Sequence, residues 1–187
     1  MKIFLSNLQK RFPARSDLLL TLAFTAFLVY GRMLFVYAWK LPSWLNYLAL
    51  GEIFSILSYA LVIALLESAG YVLFFALISA LLPERWFRDG FVARSAWGVA
   101  IWIGSWWIYF TRLAGMGIEG GLTALSDLYL WLAVTVAMVI VAVAVSARIR
   151  WMRTAATWLA DQSLIFLFLL IPAALIGLAV VIIRNLS

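Results

Sequence analysis

The chain has 187 residues, 67% of them hydrophobic and 12% charged, with a net charge of +6. Soluble domains carry about 25% charged residues, so this composition excludes a soluble globular protein and indicates one integral membrane domain spanning residues 1–187. Cysteine and histidine are both absent, which removes disulfides, thiolate nucleophiles, imidazole metal ligation and histidine proton relays from the chain's own chemistry.

Met1 to Arg15 gathers Lys2, Lys10, Arg11 and Arg15 around Ile3, Phe4, Leu5, Leu8 and Phe12. That pattern suits a short helix lying on the membrane surface until Pro13 ends it. The apolar segment that follows is too long for a signal peptide, and no small-residue cleavage pattern closes it. Ser16 and Asp17 read as cap and first turn of a first span over about 18–39. Arg32 lies about fourteen residues into that span, roughly 21 Å along a helix, where its side chain can snorkel outward. Pro42, Trp44 and Tyr47 mark a short connection suited to a headgroup layer.

The second span, 52–82, is longer than the ~20 apolar residues that cross a bilayer core. As one helix it would measure on the order of 46 Å, so it is expected to tilt, kink or project. Ser68 and Gly70 mark the expected bend, and Glu67 is the internal charge. A basic turn with Arg85, Arg88 and Arg94 leads to a third span over 95–111, with Trp106, Trp107 and Tyr109 as an interfacial belt. Ala96, Ala100 and Gly104 recur every four residues, a spacing that lets another backbone approach closely. The glycine-rich loop GMGIEGG precedes a fourth span over 127–147.

Arg148, Arg150 and Arg153 then open a segment, 148–162, with Ile149, Met152, Ala156 and Leu159 at helical spacing. It reads as a second surface helix. The fifth span covers 163–183, with Pro172 as a kink and Ala173 with Gly177 as a second small-residue contact. The fold class is therefore all-α, a bundle of five transmembrane helices with surface helices on the cytoplasmic side. Lys40, Arg112 and Arg184 fall on one side of these spans, and the three larger basic groups fall on the other. The positive-inside rule then places the N-terminus in the cytoplasm and the C-terminus outside, as in a multi-pass plasma-membrane protein.

Glu67 is the sharpest site candidate, because a carboxylate inside a span must be protonated, paired or facing water. It reads as a proton- or cation-coupled site or as a structural acid hydrogen-bonded to a neighbouring helix. Arg32 is its partner by charge, but depth places Arg32 near the outer boundary beside Glu52, so an Arg32–Glu52 clasp is an equal expectation. Tyr59 and Tyr71 are further polar candidates.

The turn from Asp89 to Arg94 matches the DG-x-x-AR core of the CDP-alcohol phosphotransferases but lacks that family's metal-binding acids. Trp86 stands where one is needed, and the helix that follows has none. The ten tryptophans suggest the tryptophan-rich sensory proteins, whose paired prolines are missing, so interfacial anchoring accounts for most of them. One resemblance covers nearly the whole chain at the level of architecture. Five spans, N-terminus in, C-terminus out, and a basic turn after the second span resemble the membrane portion of lipoteichoic acid synthase-like, sulfatase-fold proteins. The catalytic threonine and metal ligands of that family belong to its outer domain, so the resemblance assigns no site residue.

No catalytic or metal-binding set is present, and no cofactor is expected. The composition and packing motifs favour a non-catalytic membrane component: an anchor, scaffold or accessory subunit whose partners are membrane lipids and other membrane subunits, with no nucleic acid. The alternative is a small transporter or lipid-handling protein using Glu67 and Arg32 in an intramembrane cavity. A sealed interior would favour the first and a cavity reaching Glu67 the second.

Overall fold

The computed structural model describes residues 12–83, 87, 89–115 and 127–186. Among the described residues the chain forms five helices and no strand: α1 Arg15–Trp44, α2 Leu50–Leu81, α3 Phe91–Ala114, α4 Leu128–Ser146 and α5 Arg150–Leu186. Four of them, α1, α2, α4 and α5, are long and apolar enough to cross a membrane. The third is not in that group. Its 24 residues suffice in length, but Trp97, Trp102, Trp106, Trp107, Gly98 and Gly104 dilute its aliphatic content. The surface helix expected over 1–15 lies largely outside the described residues, as does most of the glycine-rich loop.

Helices α1, α3 and α5 extend past the boundaries the sequence suggests, whereas α4 falls just inside 127–147. Ala14, not Ser16, precedes the first turn of α1, and it makes no side-chain cap; Asp17 lies within that turn. The expected bend at Ser68 and Gly70 does not interrupt α2, and the Ser68 hydroxyl donates back to the Ala64 carbonyl at 2.7 Å. The separate surface helix over 148–162 is absent, because α5 runs unbroken for 37 residues through Ser163 and Pro172. No glycine or proline stands between Arg150 and Ile171 to stop it. Ser163 bonds back to the Leu159 carbonyl at 2.7 Å instead of capping a new helix. Its buried stripe, Ala156, Ala160, Ser163, Leu167, Leu170, Ala174 and Gly177, recurs every three or four residues. One face of the helix is thereby committed along nearly its whole length.

Helices α1, α2 and α5 pack against one another, α3 lies on α1 and α5, and α4 packs mainly on α3. Val29, Tyr30, Ala64, Phe75, Phe91 and Val99 belong to the larger apolar core; Phe24, Ala93, Ala96, Ala156 and Ala160 form a second one of smaller side chains. Gly90 opens α3 in a left-handed conformation, φ +79°, which a side chain rarely adopts. The Asp89-Gly90 pair is thus a turn, and Arg94 donates from Nε to the Asp89 carbonyl at 3.2 Å.

Lipid tails are as apolar as leucine, so helix association in a membrane depends on close packing and interhelical hydrogen bonds. Such bonds recur through this bundle. Thr21 meets Ser95 at 3.1 Å, the Tyr30 hydroxyl donates to the Leu61 carbonyl at 3.0 Å, and the Trp97 indole donates to the Met152 carbonyl at 3.0 Å. Ser105 and Thr135 join α3 to α4 at 2.6 Å. Because α4 is held to the bundle mainly through α3, Ser105→Ala should destabilise the bundle by about 1 kcal/mol. Adding Thr135→Val should recover part of that loss. Thermal midpoints of the three variants in one detergent would show it; a double variant as poor as the sum of the singles would count against the pairing.

Candidate functional site

Arg32 and Glu67 meet across the α1–α2 pair. The contacts Tyr30 to Leu61 and Tyr37 to Ile53 fix the register of these antiparallel helices. Glu67 lies beyond the level at which those tyrosine side chains reach α2. The side chains of Arg32 and Glu67 meet because each Cα–Cβ bond leans toward its own helix N-terminus, so on antiparallel helices the two converge. Arg32 Nη2 donates to Glu67 Oε1 at 3.0 Å and to Oε2 at 2.9 Å. The Tyr71 hydroxyl, one turn along α2, donates to Oε1 at 3.2 Å. The two charged side chains are 31% and 28% exposed.

The Arg32–Glu52 clasp is not formed. Glu52 lies in the first turn of α2, where its Oε2 accepts the Ala49 N–H at 2.9 Å. A carboxylate there also meets the positive end of the helix dipole. Tyr59 is likewise placed elsewhere, accepting from Asn185 Nδ2 at 2.8 Å on an exposed face.

Arg32 and Glu67 open into a cavity of about 880 Å³ between the C-terminal halves of α1 and α3 and the N-terminal half of α2. Its origin lies in the packing: α1 contacts both other helices closely, whereas α2 and α3 barely touch, which leaves a wedge between them. From α1, Arg32, Val36 and Lys40 face it at four-residue spacing; Ala60 on α2 and Trp107 and Phe110 on α3 complete the wall. A smaller cavity of about 230 Å³ adjoins it between α1 and α3, over Leu28, Ala100, Ile103 and Gly104. Arg32, Phe35 and Trp107 line both. Phe35 and Trp107 stand edge to face with centroids 5.4 Å apart on the border of the two spaces.

Among the described residues the charge lining this chamber is not balanced. Arg32 engages Glu67 through Nη2 alone, and among the described residues its Nε and Nη1 donors have no protein acceptor. Lys40 has no ion-pair partner among the described residues. With Glu67 ionised, two cations face one anion. Such an arrangement attracts an anionic group, and the aromatic and aliphatic walls accommodate an apolar body.

The stripe Ala96, Ala100 and Gly104 divides. Ala96 is buried, but Ala100 and Gly104 floor the smaller cavity, and a Cβ at Gly104 would meet nothing within 4 Å. The close contact on α3 belongs instead to Gly98, where a Cβ would lie 2.7 Å from Phe75 Cζ and 3.3 Å from Val143 Cγ2. On α5, Gly177 does approach α2: a Cβ there would lie 3.0 Å from the Ser58 carbonyl oxygen. Ala174, not Ala173, is the buried alanine beside it. Lys40, Phe35 and Trp107 are site residues that the sequence reading missed. The recurrence of Arg32, Val36 and Lys40 on one helical face was the available signal.

No protein-family model matches the chain, and no curated protein or solved structure matches it either.

Proposed function

We propose that the chain is an integral membrane protein that takes up an amphiphilic, lipid-like molecule in the chamber between α1, α2 and α3. In this reading α3 is the fifth crossing, the N-terminus is cytoplasmic, and the chamber opens toward the outer side of the plasma membrane. The carrying observation is a cavity of about 880 Å³ that reaches the Arg32–Glu67 pair. An anchor or scaffold alone has no use for such a space, and the charges at its wall face water instead of lipid tails. Aromatic and aliphatic side chains with a few convergent polar groups are the usual lining of a small-molecule site.

Ala60 supplies the test, since it is a small, half-buried residue on the chamber wall. Wild-type chain purified in mild detergent should retain a lipid-like species in native mass spectrometry. Ala60→Trp should reduce that retention by about tenfold, equivalent to roughly 1.4 kcal/mol, with an unchanged thermal midpoint. A wild-type chain that retains nothing, or a variant that retains as much, would defeat the reading.

The assembly-component reading keeps one specific observation in its favour. Only Thr135, Ala142 and Ser146 of α4 are buried, so most of its apolar surface is free for lipid or a partner helix. Bulky replacements along that exposed face should remove co-purifying membrane proteins if the helix is an interface, and should change nothing if it faces lipid.

A further inference from the structure

We infer that the ligand of this chamber is a single-chain amphiphile bearing one negative charge, with its head between Arg32 and Lys40 and its chain in the groove over Gly104. The inference rests on the reading of the chamber as an amphiphile site and adds charge, chain number and direction to it.

Charge comes first. Arg32 is held to Glu67 by one nitrogen, so the rest of its guanidinium edge stays available to a second anion. Lys40 lies two helical turns farther along the same face of α1, about 12 Å by helix rise. The pair of cations minus Glu67 leaves a surplus of one positive charge, which one carboxylate or phosphate monoanion neutralises.

The second observation is the shared border of the two cavities. The larger holds every ionisable lining residue, whereas the smaller has none except Arg32 at its mouth. Arg32, Phe35 and Trp107 line both, and the chain is placed past these two rings. Leu28, Ala100 and Gly104 lie near the midpoints of α1 and α3, whereas Lys40 and Thr111 lie near the ends of those helices. A chain lying over Gly104 therefore points toward the middle of the bundle while its head points toward one end, the orientation of a lipid within one leaflet. The smaller cavity, about 230 Å³, has room for part of one chain and not for two. The open space above Gly104 is where that chain lies.

The test uses the full chain in phosphatidylcholine nanodiscs, with oleate as probe and native mass spectrometry as readout. Oleate should bind at one per chain, and monoolein, with the same tail and no charge, should bind about tenfold more weakly. Gly104→Leu should weaken oleate by a similar factor with an unchanged thermal midpoint. Lys40→Gln should narrow the difference between oleate and monoolein. Ala100→Leu provides the same groove block if Gly104→Leu fails to fold. Equal binding of oleate and monoolein would overturn the charge assignment, and preferential retention of a two-chain phosphatidylglycerol would overturn the single chain. If lipid is retained by wild type but Gly104→Leu and Ala100→Leu leave oleate untouched, the groove assignment fails and the chamber reading survives. Retention of no amphiphile by wild type would end both.

Discussion

Glu67→Leu should destabilise the bundle by about 2–3 kcal/mol, more than Arg32→Leu does, and the double replacement should recover most of the loss. The Arg32–Glu67 pair is bonded at 2.9 and 3.0 Å, and its side chains are about one-third exposed to an open chamber. Breaking a fully buried pair costs roughly 3–5 kcal/mol, and partial hydration from the chamber reduces that figure. The asymmetry follows from proton chemistry. A carboxylate left alone in an apolar setting can take up a proton and become neutral, whereas a guanidinium cannot lose one. In the Glu67→Leu variant Arg32 must therefore keep its charge with its main acceptor gone, and the Tyr71 hydroxyl loses its partner as well. Glu67→Gln should fall between wild type and Glu67→Leu, because an amide oxygen still accepts from Arg32. Thermal midpoints of the four variants in one detergent measure all of this. Equal loss in the two single variants, with no recovery in the double, would show that the pair is not what these residues contribute.

The reasons why some of this was legible in the sequence and some was not are physical. Helical class and the apolar character of α1, α2, α4 and α5 follow from unbroken runs of aliphatic residues, which no tertiary contact reverses. Helix ends were less legible. Ser16 and Ser163 look like caps, yet a serine hydroxyl also bonds back to a carbonyl four residues earlier, as Ser163 does with Leu159. Reading α3 as a crossing equal to the others overlooked how much tryptophan, glycine and serine lower its hydropathy.

Depth along a helix misplaced Arg32, because counting residues locates the Cα and not the end of a long side chain. The lean of Arg32 and Glu67 toward opposite helix ends covers the difference between Glu52 and Glu67 as partner. Chamber walls were partly legible: Arg32, Val36 and Lys40 share a face by spacing alone, but only the weak contact of α2 with α3 turns that face into a cavity. Small-residue spacing likewise reveals where a backbone has room, not what fills it, so the regular Ala100 to Gly104 step floors a groove while isolated Gly98 takes the Phe75 ring.

Gly177→Val should produce the second large effect, a loss of about 1–3 kcal/mol from overpacking, whereas Gly104→Ala should be neutral or slightly stabilising. Both glycines lie inside helices, so replacement with alanine relieves the same conformational entropy in each, about 0.5–1 kcal/mol. Their surroundings separate them. A Cβ at Gly177 would stand 3.0 Å from the Ser58 carbonyl oxygen and 3.4 Å from its Cα. These are backbone atoms of α2, so nothing can rotate aside, and the branched valine adds two further methyl groups. Relief requires α5 to move off α2, which loosens the buried stripe on α5 around Leu170 and Ala174. Gly98→Ala should fall between them: its Cβ would come within 2.7 Å of Phe75 Cζ, but that is the far end of a side chain. Phe75→Leu should then rescue Gly98→Ala and leave Gly177→Val unimproved. If Gly104→Ala and Gly177→Val shifted the thermal midpoint equally, the close approach of α5 to α2 would no longer stand. With it would go the fixed position of α2 that holds Glu67 opposite Arg32.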